Sequence, residues 1–180
     1  MNPKASKILV VDDNQAVHED YRKVLETPQD DKLLDQMESA LFGGDSSAQP
    51  NAPDLNFQID SAFQGEEGLE LVKKSLVDNS PYAVAFIDMR MPPGWNGIKT
   101  AEEIWKIDAN LPIVICTAYT DHTWEEIISE LTQIELLLIL KKPFDNIELK
   151  QMAASQSKLR NLIELASQAE QPNACSSPSF

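Results

Sequence analysis

The chain is poor in the residues that build metal clusters and disulfide frameworks. Its 180 residues hold two cysteines and two histidines. Cys116 lies inside an apolar run and Cys175 in a polar tail, so neither a disulfide framework nor a zinc site has the spacing it needs. Cys116 reads as a small buried hydrophobe. Basic residues are scarce too: 15 Lys and Arg against 29 Asp and Glu leave a formal charge of −14. That balance argues against nucleic-acid binding and disfavours an anionic membrane surface. Long apolar runs are missing as well. Leu136 to Leu140 is far short of the roughly 20 residues a membrane helix needs, and Met1 to Lys7 contains no signal-peptide apolar stretch. A cytoplasmic location is the expectation.

What the chain does have is a series of short apolar runs, each ending in a polar residue. Ile8-Leu9-Val10-Val11 runs into Asp12-Asp13. Ala83 to Ile87 runs into Asp88. Val114-Ile115-Cys116 leads to Thr117, and Leu136 to Leu140 leads to Lys141-Lys142-Pro143. Continuous runs of this kind suit strands of a parallel sheet covered on both faces by helices. Between them lie helical stripes: Val17, Tyr21, Val24 and Leu25; Leu69, Leu71, Val72, Leu76 and Val77; Ile98, Ala101, Ile104 and Trp105. A strand near Asn56 to Phe63, a helix near Thr123 to Leu131 and a long last helix from about Asn146 complete five strand–helix units. The predicted fold is a doubly wound α/β domain of the flavodoxin-like type, a five-stranded parallel sheet of order 2-1-3-4-5.

Residues 1–167 form the predicted domain, with 27–55 as an insertion between the first helix and second strand. Asp31 to Phe42 carries a helical stripe (Leu33, Leu34, Met37, Leu41), and Gly43 to Pro53 reads as a tether. Residues 168–180 read as a disordered tail. The last helix has a stripe of Met152, Leu159, Leu162, Ile163 and Ala166, expected to pack on the sheet. Should that helix extend past the domain, it could pair in a homodimer.

Strand order decides whether the acids meet. In the order 2-1-3-4-5 the first and third strands are neighbours, so Asp12 and Asp13 come beside Asp88. Two carboxylates at about 4 Å repel by about 4 kcal/mol at an effective dielectric near 20. A hard divalent cation relieves this, and Mg²⁺ favours carboxylates, waters and phosphate oxygens. Lys142 supplies a point charge suited to phosphate, and Thr117 a hydroxyl. His18 and His122 read as surface helix residues. Trp105 and Trp124 read as packing residues, and Trp95 as part of an exposed Pro/Gly loop.

Taken together, Val11-Asp12-Asp13, Ile87-Asp88 with Met91-Pro92 and Gly97, Thr117-Ala118, and Lys142-Pro143-Phe144 resemble the receiver domain of two-component response regulators. The resemblance spans the chain from about Lys7 to the last helix. It implies that Asp88 is the phosphoacceptor, a carboxylate nucleophile that forms an acyl phosphate. It implies Mg²⁺ (or Mn²⁺) held by Asp13, Asp88 and the Arg90 backbone carbonyl, with Asp12 acting through water. Lys142 would hold phosphoryl oxygens, its bond to Pro143 would be cis, and Thr117 would sense the phosphoryl group. The donor would be a sensor histidine kinase or phosphotransfer protein, and the output contact with a further protein. No enzymatic activity is expected beyond self-phosphorylation and autodephosphorylation.

Departures from the family pattern sit at Ile139, where an aromatic residue often couples to the threonine, and in the extra residue before Gly97. Arg90 and Tyr119 occupy positions where the family tunes hydrolysis, and bulky side chains there imply slow loss of the phosphoryl group. Two other readings compete. A receiver-like scaffold working without phosphorylation is kept open by Ile139. A Mg²⁺-dependent phosphohydrolase is disfavoured because position 90 is Arg rather than a second acid.

Overall fold

In a computed structural model of the chain, residues 6–26, 56–118, 124–131 and 133–169 are described. The short apolar runs form β1 (Ser6–Val11), β2 (Phe57–Ala62), β3 (Val84–Asp88), β4 (Ile113–Ala118) and β5 (Leu137–Lys142). The helices between and after them are α1 (Gln15–Leu25), α2 (Gly65–Val77), α3 (Gly97–Trp105), α4 (Trp124–Glu130) and α5 (Asn146–Ala169). All strand pairs are parallel, in the order β2-β1-β3-β4-β5. This is the predicted flavodoxin-like sheet.

Strand periodicity divides the apolar side chains between two faces. Leu9, Val11, Ala85, Ile87, Ile113 and Ile115 pack with Val72 of α2, Ile98 and Ile104 of α3, and Ile127 of α4. Ile8, Val10, Val84, Phe86, Val114 and Cys116 pack with Tyr21 and Leu25 of α1 and with Leu149 and Ala153 of α5. The central strands β1, β3 and β4 are thus buried on both faces, as their unbroken apolar runs require. Among the described residues, no helix is long and apolar enough to cross a membrane.

Local signals set several helix starts. Asn14 caps α1 by accepting the Ala16 N–H at 3.0 Å, and Asn96 caps α3 by accepting the Lys99 N–H at 2.8 Å. Gly97 is needed for a different reason. A Cβ there would stand 2.6 Å from the Asp88 carbonyl oxygen, so any larger residue would push α3 away from the end of β3.

Three expectations change. His18, read as a surface residue, is buried at 1% exposure. It lies three residues before Tyr21 and seven before Leu25, both on the inward face of α1, so helical spacing turns it inward with them. The apolar stripe of α5 also packs only in part. Met152 and Leu159 are half-buried, whereas Leu162 is 54% exposed and Ala166 is exposed. The inward face of that stretch is instead carried by Gln156, Ser157 and Arg160. Finally, α5 runs to Ala169, two residues into the segment read as tail. The insertion at 27–55, Tyr119, His122 and residues 170–180 lie outside the described residues, as does the side chain of Trp124.

Arg160 has a specific task. Its guanidinium donates to Asp108 Oδ1 at 2.7 Å, with both side chains under a tenth exposed, and its Nε donates to Glu164 at 2.7 Å. The pair joins α5 to the turn after α3, at the end of the sheet away from the acidic residues. Removing Asp108 leaves the buried Arg160 guanidinium with the more exposed Glu164 as its remaining counter-charge among the described residues. Asp108→Ala should therefore lower unfolding free energy by about 3 kcal/mol, and adding Arg160→Met should recover much of it. Urea midpoints of the two variants check this; a double variant less stable than the single one would contradict it.

Candidate functional site

The site grows out of side-chain parity at the carboxyl ends of the strands. Val10 and Phe86 are register partners on the α1/α5 face, so Asp12 and Asp88, each two residues on, rise on that same face. Cys116 pairs with Asp88 and Ala118 with Lys142. These small side chains leave room for the Lys142 stem to cross β4.

The result is one ammonium between two carboxylates. Lys142 Nζ donates to Asp12 Oδ2 at 2.7 Å and to Asp88 Oδ1 at 2.6 Å. The remaining oxygens are held by the turns that follow the strands: Asp12 Oδ1 accepts the Asn14 N–H and Asp88 Oδ2 the Arg90 N–H, each at 2.9 Å. Asp12 is buried and Asp88 largely so, with side-chain exposures of 5% and 14%. Burial raises the Asp88 carboxyl above its ordinary value; the hydrogen bonds and charge of Lys142 and the Arg90 N–H pull it back only in part, and the Asp12 charge adds to the rise. Burial alone would lower Lys142, but its bonds to Asp12 and Asp88 outweigh that and raise it. Lys142 is therefore a fixed cation at neutral pH.

Directly beneath lies a buried Tyr21–Cys116 pair, hydroxyl to sulfur 3.2 Å. Burial pushes the Cys116 thiol up to about 12, and it pushes Tyr21 well above the usual phenol range. Cys116 is the inert small hydrophobe expected of it. The Tyr21 ring meets Phe86 and Phe144 edge-on, at 5.2 and 5.7 Å between centroids. This links the residue after Pro143 to α1. The Lys142–Pro143 bond is cis, and so is Pro92–Pro93.

Not every candidate joins the cluster. Asp13 is exposed and makes no hydrogen bond or ion pair among the described residues. Thr117 has opposite parity to Cys116 and belongs to the other face of the sheet. It is buried, and its hydroxyl donates to the Ala118 carbonyl at 3.1 Å rather than to the acids or Lys142. Ile139 is half-buried and packs on that same face. Among the described residues no three His, Cys, Asp or Glu side chains converge as a metal-binding group. The three-carboxylate notch expected from the sequence is instead a two-carboxylate cluster closed by Lys142, with Asp13 outside it. One contributor was not foreseen: the His18 Nε2–H donates to the Asp12 carbonyl at 2.7 Å.

Comparison with known proteins bears on the family and the fold. The profile of the response regulator receiver domain matches residues 51–154. The chain belongs to that family. Its receiver is 30% identical over 94 residues to sporulation initiation phosphotransferase F of Bacillus subtilis, covering 52% of this chain and 68% of that protein. A response regulator receiver protein from Sinorhizobium medicae superposes with a TM-score of 0.58 at 20% identity, over 87% of this chain and 98% of the other. The signal receiver domain of a putative Luxo repressor protein from Vibrio parahaemolyticus gives 0.63 at 16%, over 94% and 100%. Such distant likenesses establish the fold. The profile match begins at residue 51 and so leaves out β1 with Asp12 and Asp13; β1 takes its place in the receiver sheet through pairing with β2 and β3.

The raised Asp88 carboxyl has a stability consequence. An acid that holds its proton more tightly when folded loses native stability as pH rises from its ordinary value of 3.8 through the folded value. Above that window the loss is complete. Asp88→Asn should remove this slope and raise the urea midpoint at pH 7 in metal-free buffer. Denaturation series from pH 4 to pH 8 measure both; a less stable Asp88→Asn variant at pH 7 would overturn the assignment.

Proposed function

We propose that this receiver is the phosphoacceptor module of a two-component phosphorelay, with Asp88 accepting a phosphoryl group from a phosphohistidine. The observation that carries the reading is the Lys142 ammonium bonded at once to Asp12 and Asp88. A buried carboxylate attacks phosphorus as an oxygen nucleophile; the phosphorus–nitrogen bond of the donor breaks, and an acyl phosphate forms on Asp88. Lys142 balances the added phosphoryl charge from its place beside Asp88.

Asp12, Asp13 and Asp88 against Lys142 sum to a charge of −2, and their donors are hard oxygens. Both properties fit Mg²⁺ or Mn²⁺. Asp13, without another partner among the described residues, Asp88 and the Arg90 backbone carbonyl would hold the ion, with Asp12 acting through water. When bound, it supplies charge neutralisation to the carboxylates and to the incoming phosphoryl oxygens. The partner is a sensor histidine kinase or a phosphotransfer protein, and the output is a changed protein-contact surface. Thr117 and Ile139 lie on the face shared with α2, α3 and α4, so a shift of Thr117 toward the phosphoryl group would be read there.

A second reading, a receiver used as a scaffold without phosphorylation, draws on one feature: Ile139 stands where an aromatic coupling residue is common, and the Thr117 hydroxyl is turned to Ala118. One experiment separates the two. The full chain incubated with Mg²⁺ and acetyl phosphate should gain one phosphoryl mass by intact-mass spectrometry, and Asp88→Asn should not. Lys142→Met should slow the gain by about a hundredfold, the scale of removing one preorganised charge donor. No mass gain in the wild-type chain, under conditions where it binds Mg²⁺, would favour the scaffold.

A further inference from the structure

Asp12 is held at every polar atom. Its N–H donates to the Ala62 carbonyl at 3.1 Å, Oδ1 accepts from Asn14 and Oδ2 from Lys142. Its carbonyl accepts the His18 Nε2–H at 2.7 Å. That carbonyl belongs to the peptide joining Asp12 to Asp13, and Asp13 has no partner of its own among the described residues. The direction in which the Asp13 carboxylate leaves the chain thus depends on how this one peptide is held.

His18 is built for holding it. The ring is 1% exposed and lies against Phe63 at 4.7 Å between centroids. A carbonyl only accepts, so Nε2 must carry the proton. Nδ1 is buried with no hydrogen-bond partner among the described residues, so the ring's polar contact is the one that Nε2–H makes. Phe63 is fixed in turn, its backbone N–H donating to Glu67 at 2.6 Å. Simple packing of α1 on the sheet would not require a nitrogen aimed at this carbonyl.

We propose that His18 is a positioning residue of the phosphoacceptor site: by clamping the Asp12 carbonyl it orients the Asp12–Asp13 peptide and so sets Asp13 for the divalent cation. The proposal rests on the phosphoacceptor reading and adds to it a residue outside the acid–lysine cluster. Partners that orient a metal ligand without touching the metal change affinity by about 10- to 100-fold when removed.

The test uses the full chain with two variants. His18→Leu keeps bulk and removes the donor; His18→Gln offers an amide N–H in place of Nε2. Mg²⁺ binding is measured by calorimetry, the Mg²⁺ dependence of phosphorylation by acetyl phosphate is followed alongside, and urea midpoints report folding. His18→Leu should weaken Mg²⁺ binding about tenfold, with the loss appearing in half-saturation more than in the saturated rate, and His18→Gln should restore most of it. A folded His18→Leu with wild-type Mg²⁺ affinity, or a His18→Gln as weak as Leu, overturns the proposal. Should His18→Leu fail to fold, His18→Gln and the ¹⁵N spectrum of the wild-type ring decide: near-native affinity in Gln with a proton on Nε2 supports it, and an Nδ1–H tautomer that leaves Nε2 without a proton overturns it. Because calorimetry needs no phosphoryl transfer, a wild-type chain that binds Mg²⁺ but takes no phosphoryl group sinks the phosphoacceptor reading alone. A chain that binds no Mg²⁺ sinks both.

Discussion

Two buried carboxylates sharing one ammonium is the constraint around which this receiver is organised. Asp12 and Asp88 sit at the ends of adjacent strands, where their mutual repulsion would be costly without a cation. Lys142 reaches them from β5 across β4, and it can do so because β4 offers Cys116 and Ala118 along its path. The cluster therefore couples three strands through charge as well as through backbone pairing. With one ammonium set against two carboxylates, the cluster keeps a net negative charge.

The surroundings are arranged to hold this charge in place. The turn after β1 is fixed by Asn14 and His18, and the turn after β3 by the Arg90 N–H and by α3, whose Gly97 comes within touching distance of the Asp88 carbonyl. Below, the Tyr21–Cys116 pair and the rings of Phe86 and Phe144 form an apolar floor. Burial is the largest cause of the raised Asp88 carboxyl. At the far end of the sheet, Arg160 and Asp108 anchor α5 independently of this cluster.

Much of this was legible in residue order. Strand ends at Asp12, Asp88, Thr117 and Lys142 follow from apolar runs that stop at polar residues, and a covered parallel sheet follows from runs without alternation. The inward turn of His18 was legible too, since its spacing to Tyr21 and Leu25 is helical, but polarity argued the other way. Thr117 was harder. Its place at a strand end suggested convergence with the acids, whereas strand parity sends it to the opposite face from Cys116. The α5 stripe misled because apolar spacing marks a possible face without saying where the sheet ends beneath it; beyond Arg160 the stripe runs past its support.

Sequence by itself determined the element order, the sheet class and the family, because periodicity and local motifs are properties of neighbouring residues. Tertiary structure alone decided that Lys142 stands between Asp12 and Asp88 while Asp13 stays outside, and that a histidine holds the Asp12 carbonyl. Those contacts join residues up to 130 positions apart. The lysine contacts depend on register across the sheet and on which side chains leave a path open, and no stretch of chain carries that information on its own.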